Sequence, residues 1–187
     1  MAWTGKSSLN KGKRGERDVV HILNPILAKV CERHKAPIWQ MKRNVQQSQV
    51  GGFDIDGSDD GSRAGLWWIA IEIKQHAEVA GKINGWWTQT VRQAQGKSGR
   101  PDRAPILLYR GNGQKWRCRL WSLVTIDDGP ILTEAGKDAL AAFSESAGVH
   151  LAVAKRRLRV VSDISLEEFL TWFEKRVEVE VLKRLTR

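Results

Sequence analysis

Apolar positions recur along this chain in two periods, and the switches between them mark out its elements. Val19, Val20, Ile22, Leu23, Ile26 and Leu27 fall at helical spacing, so a helix is predicted to begin near Gly15, with Pro25 bending or breaking it. The preceding residues 6–14 read as a mobile basic arm. Residues 38–45 alternate, with Trp39, Met41, Arg43 and Val45 set against Ile38, Gln40, Lys42 and Asn44, the period of a strand with one half-apolar face. Gly51 and Gly52 punctuate before a second short strand over residues 53–56. Residues 57–65, rich in Gly, Ser and Asp, read as a turn, and residues 66–73 as a central strand covered on both faces.

A helix is predicted over residues 83–95, carrying Trp86, Trp87, Thr90, Val91 and Ala94. A buried strand follows at residues 104–109, and an alternating one at 116–121 puts Arg117 and Arg119 on one face. Helix, three strands, helix and two strands predict an α/β fold with a central mixed sheet flanked by helices. Past residue 121 the pattern changes, to a helix over 132–143, strands over 149–154 and 158–161, and a last helix capped by Ser165. Ser165 with Glu168 three residues on is a capping box, and Leu166, Phe169, Leu170, Phe173 and Val177 make the apolar stripe of that helix, which Val181, Leu182 and Leu185 extend. The chain thus divides into a core over residues 1–121 with a basic amino-terminal arm, and an extension over 122–187 packed on the same domain.

A length of 187 residues suits one compact domain. Cys31 and Cys118 are too few for a disulfide scaffold and have no zinc-site grouping. No apolar run has the length of a membrane span and the first ten residues lack the apolar stretch of a signal peptide, so a soluble cytoplasmic protein is expected, with no membrane partner.

Charge sharpens this picture. The net charge is +10, but residues 51–74 hold five acids against two basic residues. Residues 1–50 hold ten basic residues against three acids, and residues 75–121 nine against two. An acidic pocket between basic flanks suits a metal site approached by a polyanion, although a basic surface can also serve solubility alone. Lys11, Lys13, Arg14, Arg17, Lys42, Arg43, Lys97, Arg100 and Arg103 are the expected phosphate contacts.

The acids of that pocket carry the chemistry. Glu72 and Lys74 lie two apart and so share a strand face, while Ile69, Ile71 and Ile73 take the other. Asp54 opens the preceding strand and is expected opposite Glu72, in a hairpin with a long, loose turn. Two carboxylates then converge on Mg²⁺ or Mn²⁺, and the Ile73 carbonyl can complete the protein ligands, with water filling the rest. Such an ion would activate a water against a phosphodiester, with Lys74 in an electrostatic role. Glu-x-Lys also arises where two charges simply face solvent, but here it closes an apolar run in which charges need a partner. Asp56 is either a further ligand or a turn-former before Gly57.

Phe53-Asp54 followed by Glu72-Ile73-Lys74 resembles the PD-(D/E)xK nuclease superfamily, with Phe in place of the usual Pro. Within it the chain is most similar to archaeal-type and phage Holliday junction resolvases, whose opening helix carries a glycine-then-glutamate pattern matched by Gly15-Glu16. The resemblance covers roughly residues 11–110. It implies a restriction-endonuclease-like core, Glu16 as a further active-site and metal-binding residue, and Mg²⁺-dependent cutting of branched DNA by a homodimer. It also implies a glutamine or basic residue on the helix after the Glu-x-Lys strand; Gln93 is the assigned position, with Gln89 as the alternative, and His76, two beyond Lys74 on the strand's continuation, is a separate candidate to assist the site. The stripe of the last helix offers a dimer seam. The long spacing between Asp54 and Glu72, and a tail with no counterpart, keep two other functions open: a restriction-type or repair endonuclease, and a DNA-binding protein without catalysis.

Overall fold

The computed structural model describes residues 6–45, 53–94, 103–121 and 161–186. The first helix, α1 (Lys6–Arg33), runs without a break through Pro25, which sits on its exposed side. It also starts nine residues before Gly15, so the expected basic arm is helical from Lys6; Lys, Arg and Leu are all good helix formers, and a charge run is no helix breaker. Val19, Leu23, Leu27, Val30 and Cys31 form its buried stripe.

The expected first two strands shrink to β1 (Met41–Arg43) and β2 (Ile55–Gly57), which pair antiparallel with each other and stay outside the main sheet. Asn24 is the reason β1 sits where it does. Its side-chain oxygen accepts the Met41 N–H at 2.8 Å and its amide donates to the Met41 carbonyl at 3.1 Å, so α1 offers β1 the bonds of a strand. The stretch expected to be turn contains a short helix, α2 (Asp60–Gly65), capped by Asp59, whose Oδ1 accepts the Ser62 N–H at 2.8 Å. Those bonds hold the Asp59 carboxyl down at about 2.

Leu66 closes α2, so the next strand begins three residues later than its apolar run suggests, as β3 (Ile69–His76). Trp68, in that run, packs instead against Trp172 and Phe173. An unbroken apolar run does not separate strand from buried loop. Then come α3 (Ile83–Ala94), β4 (Ala104–Gly111), β5 (Arg117–Trp121), β6 (Val161–Ser165) and α4 (Leu166–Leu185). The main sheet has the order β3-β4-β5-β6, with β3 and β4 parallel and the other pairs antiparallel. The strand predicted at 149–154 and the helix at 132–143 lie outside the described residues, as does all of the strand predicted at 158–161 except Val161, which opens β6.

The sheet register separates two unlike faces. Ile71, Ile73, Ile106, Leu108, Cys118, Leu120 and Ile164 turn to α1 and α4 and form the core. Glu72, Lys74, Tyr109, Arg117, Arg119 and Asp163 occupy the other face, toward α3. The capping box of α4 is present as expected, but its stripe is not free for a partner. Phe169, Phe173, Val177 and Val181 are fully buried within the chain, and Leu166 and Leu170 pack against the same core. The seam expected there is thus used inside the chain, while Leu182 and Leu185, which extend the stripe, are exposed. Arg33 on α1 ties the two helices further, through Glu174 and Glu178.

Candidate active site

β3 is an edge strand of the main sheet, and what lies along its free edge is a side chain rather than a strand. The Asp54 N–H donates to the Ile71 carbonyl at 3.0 Å, and Asp54 Oδ2 accepts the Ile73 N–H at 2.6 Å. No hairpin ladder places Asp54 there, contrary to expectation: β2 pairs with β1, and Asp54, just before β2, makes the bonds to β3. A strand residue sends its N–H and C=O to the same edge, so the Ile73 carbonyl leaves β3 beside the Asp54 carboxylate.

Glu72, between Ile71 and Ile73, turns to the opposite face and is 0% exposed. Lys74 Nζ ion-pairs with its Oε1, and Gln89 Nε2 on α3 donates to the same oxygen at 3.1 Å. Burial pushes the Glu72 carboxyl up to about 7, the neighbouring Asp54 charge adds to the rise, and Lys74 opposes it. Burial and the second carboxylate both disfavour its charged form, and the Lys74 ammonium only partly offsets them.

Gly15 explains how α1 reaches the site. A Cβ on Gly15 would stand 3.3 Å from Trp116 and Gln75 and 3.5 Å from the Ile73 side chain, so a residue without one lets the helix press onto β3. Glu16, next along, arrives at the rim of the site and adds to the negative field at Glu72. Its Oε2 is held by Arg43 Nε at 2.5 Å. Two residues on, Asp18 pairs with Arg110, whose guanidinium lies 4.3 Å from the Trp116 ring centroid.

Among the described residues no three His, Cys, Asp or Glu side chains are grouped to hold a metal ion, since Glu16 is turned to Arg43 and Glu72 to Lys74. The nearby donors are nonetheless all oxygen: the Asp54 carboxylate and the Ile73 carbonyl at the edge of β3, and the Glu72 carboxylate on its face, near enough to feel the Asp54 charge. Mg²⁺ commonly uses one or two carboxylates and keeps several waters, so this set fits a hard divalent cation. A cation would also relieve the raised Glu72 carboxyl.

The remaining expected residues divide clearly. Gln89, rather than Gln93, touches Glu72; Gln93 lies one turn further on, its Oε1 buried with no hydrogen-bond partner among the described residues. Asp56, on β2 opposite Lys42, turns its Oδ1 to the Gly57 N–H. Phe53 packs under the Arg103 guanidinium, 4.7 Å from its ring centroid, beside a cavity of about 60 Å³ lined also by Ile55, Asp56 and Arg63. Neither Trp86 nor Trp87 enters the core: the first faces His76 and the second meets Trp121 edge-on. Lys13, Arg14, Arg17 and Lys42 are exposed, while Lys97, Arg100 and the Lys11 side chain lie outside the described residues.

Sequence patterns missed one polar network. Arg119 binds Asp163 through two nitrogens and Asn84 at 2.7 Å, and the Tyr109 hydroxyl donates to Asp163 at 2.9 Å. Arg117 and Arg119 on one strand face were its only signal, because Asp163 lies far along the chain.

The match to known families falls on these elements. Residues 7–128 match the model of a family described as phage putative PDDEXK endonuclease. The chain belongs to that family. The PDDEXK match spans α1 to β5, and with them Glu16, Asp54, Glu72 and Lys74, while β6 and α4 complete the core from beyond it. Membership makes this a protein of the PDDEXK endonuclease class and nucleic acid its substrate class. No curated protein and no solved structure matches the chain. Among the described residues no helix is long and apolar enough to cross a membrane.

Proposed function

We propose that this chain is a Mg²⁺-dependent DNA endonuclease whose active site is built on the free edge of β3. The observation that carries the reading is the Asp54 carboxylate, held at 2.6 Å by the Ile73 N–H, next to the fully buried Glu72. Mg²⁺ or Mn²⁺, when bound, supplies polarisation of the phosphodiester and a more acidic water. Asp54, Glu72 and the Ile73 carbonyl are its protein ligands. Gln89 orients the Glu72 carboxylate through the oxygen that it already contacts. Lys74 stays close enough to Glu72 to move its ammonium onto the non-bridging oxygens of a phosphate, where it offsets developing negative charge. Glu16 is the third acid, reaching the site when Arg43 is drawn to a phosphate.

The substrate we infer is branched DNA, the four-way junction first. Support comes from the resemblance of Gly15-Glu16 and of both motif elements to junction resolvases, and from the exposed Lys13, Arg14 and Arg17 on α1. A two-fold dimer would bring two such sites to one junction, through a surface other than the buried part of the α4 stripe. The test is incubation with a labelled four-way junction, a linear duplex and a single strand, each with Mg²⁺ or with EDTA. Metal-dependent, symmetric nicking of the junction supports the whole reading. Cutting of duplex alone would retain the endonuclease and remove the junction, and binding without cutting in any metal would remove both.

A further inference from the structure

Past Lys74 the same face of β3 ends on His76, and the chain then doubles back to lay Lys82 over the imidazole. Same-face residues on a strand repeat about every 6.6 Å, so Glu72, Lys74 and His76 stand in line. His76 Nδ1 accepts the Glu78 N–H at 3.2 Å. That bond uses the Nδ1 lone pair, which leaves the proton of the neutral ring on Nε2. Lys82 Nζ stands 3.1 Å from Nε2 and 3.3 Å from Nδ1. The nearly equal distances put the ammonium over the ring face, so the in-plane Nε2 position and the ammonium stand side by side.

Local structure holds them there. Gly81 takes φ +79°, in the left-handed region open to glycine, and the Lys82 N–H closes the turn on the Val79 carbonyl at 3.1 Å. Trp86, in the first turn of α3, puts its ring centroid 6.2 Å from that of His76. His76 and Lys82 are exposed and Trp86 is half-buried, so a ligand can reach all of them.

We propose that His76 and Lys82 form a seat for a phosphate oxyanion of the nucleic-acid strand, one nucleotide step beyond the phosphate held at Glu72 and Lys74. Trp86 lends an apolar face to the adjoining sugar or base. The proposal rests on the hydrolytic site argued above. One oxyanion can accept from the Lys82 ammonium and the His76 Nε2–H at once. An internal phosphodiester and a strand's terminal phosphate offer the same chemistry.

The test uses the DNA that is cut, four-way junction or duplex, with single phosphates stepped outward from the cleaved bond replaced by a neutral methylphosphonate. With the unaltered protein, replacement at one step should weaken binding about tenfold, the scale of one charge-assisted hydrogen bond. His76→Ala and Lys82→Ala should bind the native DNA about tenfold more weakly and be indifferent to replacement at that step. An equal penalty in variants and parent overturns the seat. A penalty seen only when that phosphate ends a strand supports the seat and assigns it to strand ends. Should no nucleic acid be cut, the proposed activity fails separately. Inorganic phosphate titrated against the histidine ¹⁵N signals then decides the seat: a saturable His76 shift that Lys82→Ala abolishes supports it, and no shift refutes it.

Discussion

Asp54 accepts the Ile73 backbone N–H at 2.6 Å, so one carboxylate does structural duty on the sheet edge and stands where a cation would bind. The two tasks can be separated. Asp54→Asn keeps an oxygen acceptor for Ile73 and should fold with near-parent stability while losing cleavage. Asp54→Ala leaves the buried N–H without its acceptor and should lose cleavage together with about 1–3 kcal/mol of stability. Urea unfolding beside a cleavage assay checks both, and equal stability of the two variants would show that the bond contributes nothing.

Gln89 shares the Glu72 oxygen with Lys74 and Gln93 does not. Gln89→Ala should lower kcat by about tenfold to a hundredfold with little change in KM, as expected of a group that orients a ligand of the metal. Gln93→Ala should stay within about threefold of the parent in both parameters. Steady-state kinetics on one substrate decides, and a larger loss from Gln93→Ala would reverse the assignment.

Lys13, Arg14 and Arg17 lie exposed on α1, the helix that carries Glu16. DNA affinity should fall by roughly a thousandfold or more between about 50 and 200 mM salt if six to ten phosphates are contacted. Replacing all three residues with Ala should reduce the slope of log K against log salt by about 2 to 3 and weaken every DNA alike. Fluorescence anisotropy at several ionic strengths measures this, and an unchanged slope would place the phosphates elsewhere.

Tyr109 is the chain's one tyrosine, and burial pushes its hydroxyl up to about 12, with the bond to Asp163 adding to the rise. The unfolded chain releases this proton near pH 10, whereas the folded chain holds it until about pH 12. The unfolded state therefore binds fewer protons across that window, and stability contributed below pH 10 is lost as pH rises toward 12. Tyr109→Phe should flatten this part of the stability profile. Urea midpoints across the alkaline range test it, and phenolate absorbance follows the single tyrosine directly.

Phe173 on α4 is fully buried and packs on Phe169 and Trp68. Phe173→Ala should cost about 3–5 kcal/mol, and truncation after Asp163 should unfold the chain. Denaturant unfolding reads the first and circular dichroism the second. A folded truncated chain would mean that α4 is an appendage.

Local pattern alone determined much of this protein. The 3.6-residue stripe of α1, the Ser165–Glu168 capping box, the helix after β3 and the strands around Leu107 and Cys118 all follow from periodicity and short-range chemistry. So did the common face of Glu72 and Lys74, since strand geometry sets it within three residues. Contacts distant in sequence were decided only by the tertiary structure. Asp54 reaches β3 as a lone edge group while β2 pairs with β1, which no spacing between Asp54 and Glu72 reveals. Arg43 on β1 claims Glu16 on α1 from 27 residues further along, and Asp163 joins Tyr109 and Arg119 from beyond the family's matched span. The α4 stripe looks the same in sequence whether it meets a second copy or its own core; only the packing of Phe169, Phe173 and Val177 on α1 and Trp68 assigns it inward. Apolar periodicity says that a face is buried, and the partner that buries it is a property of the whole fold.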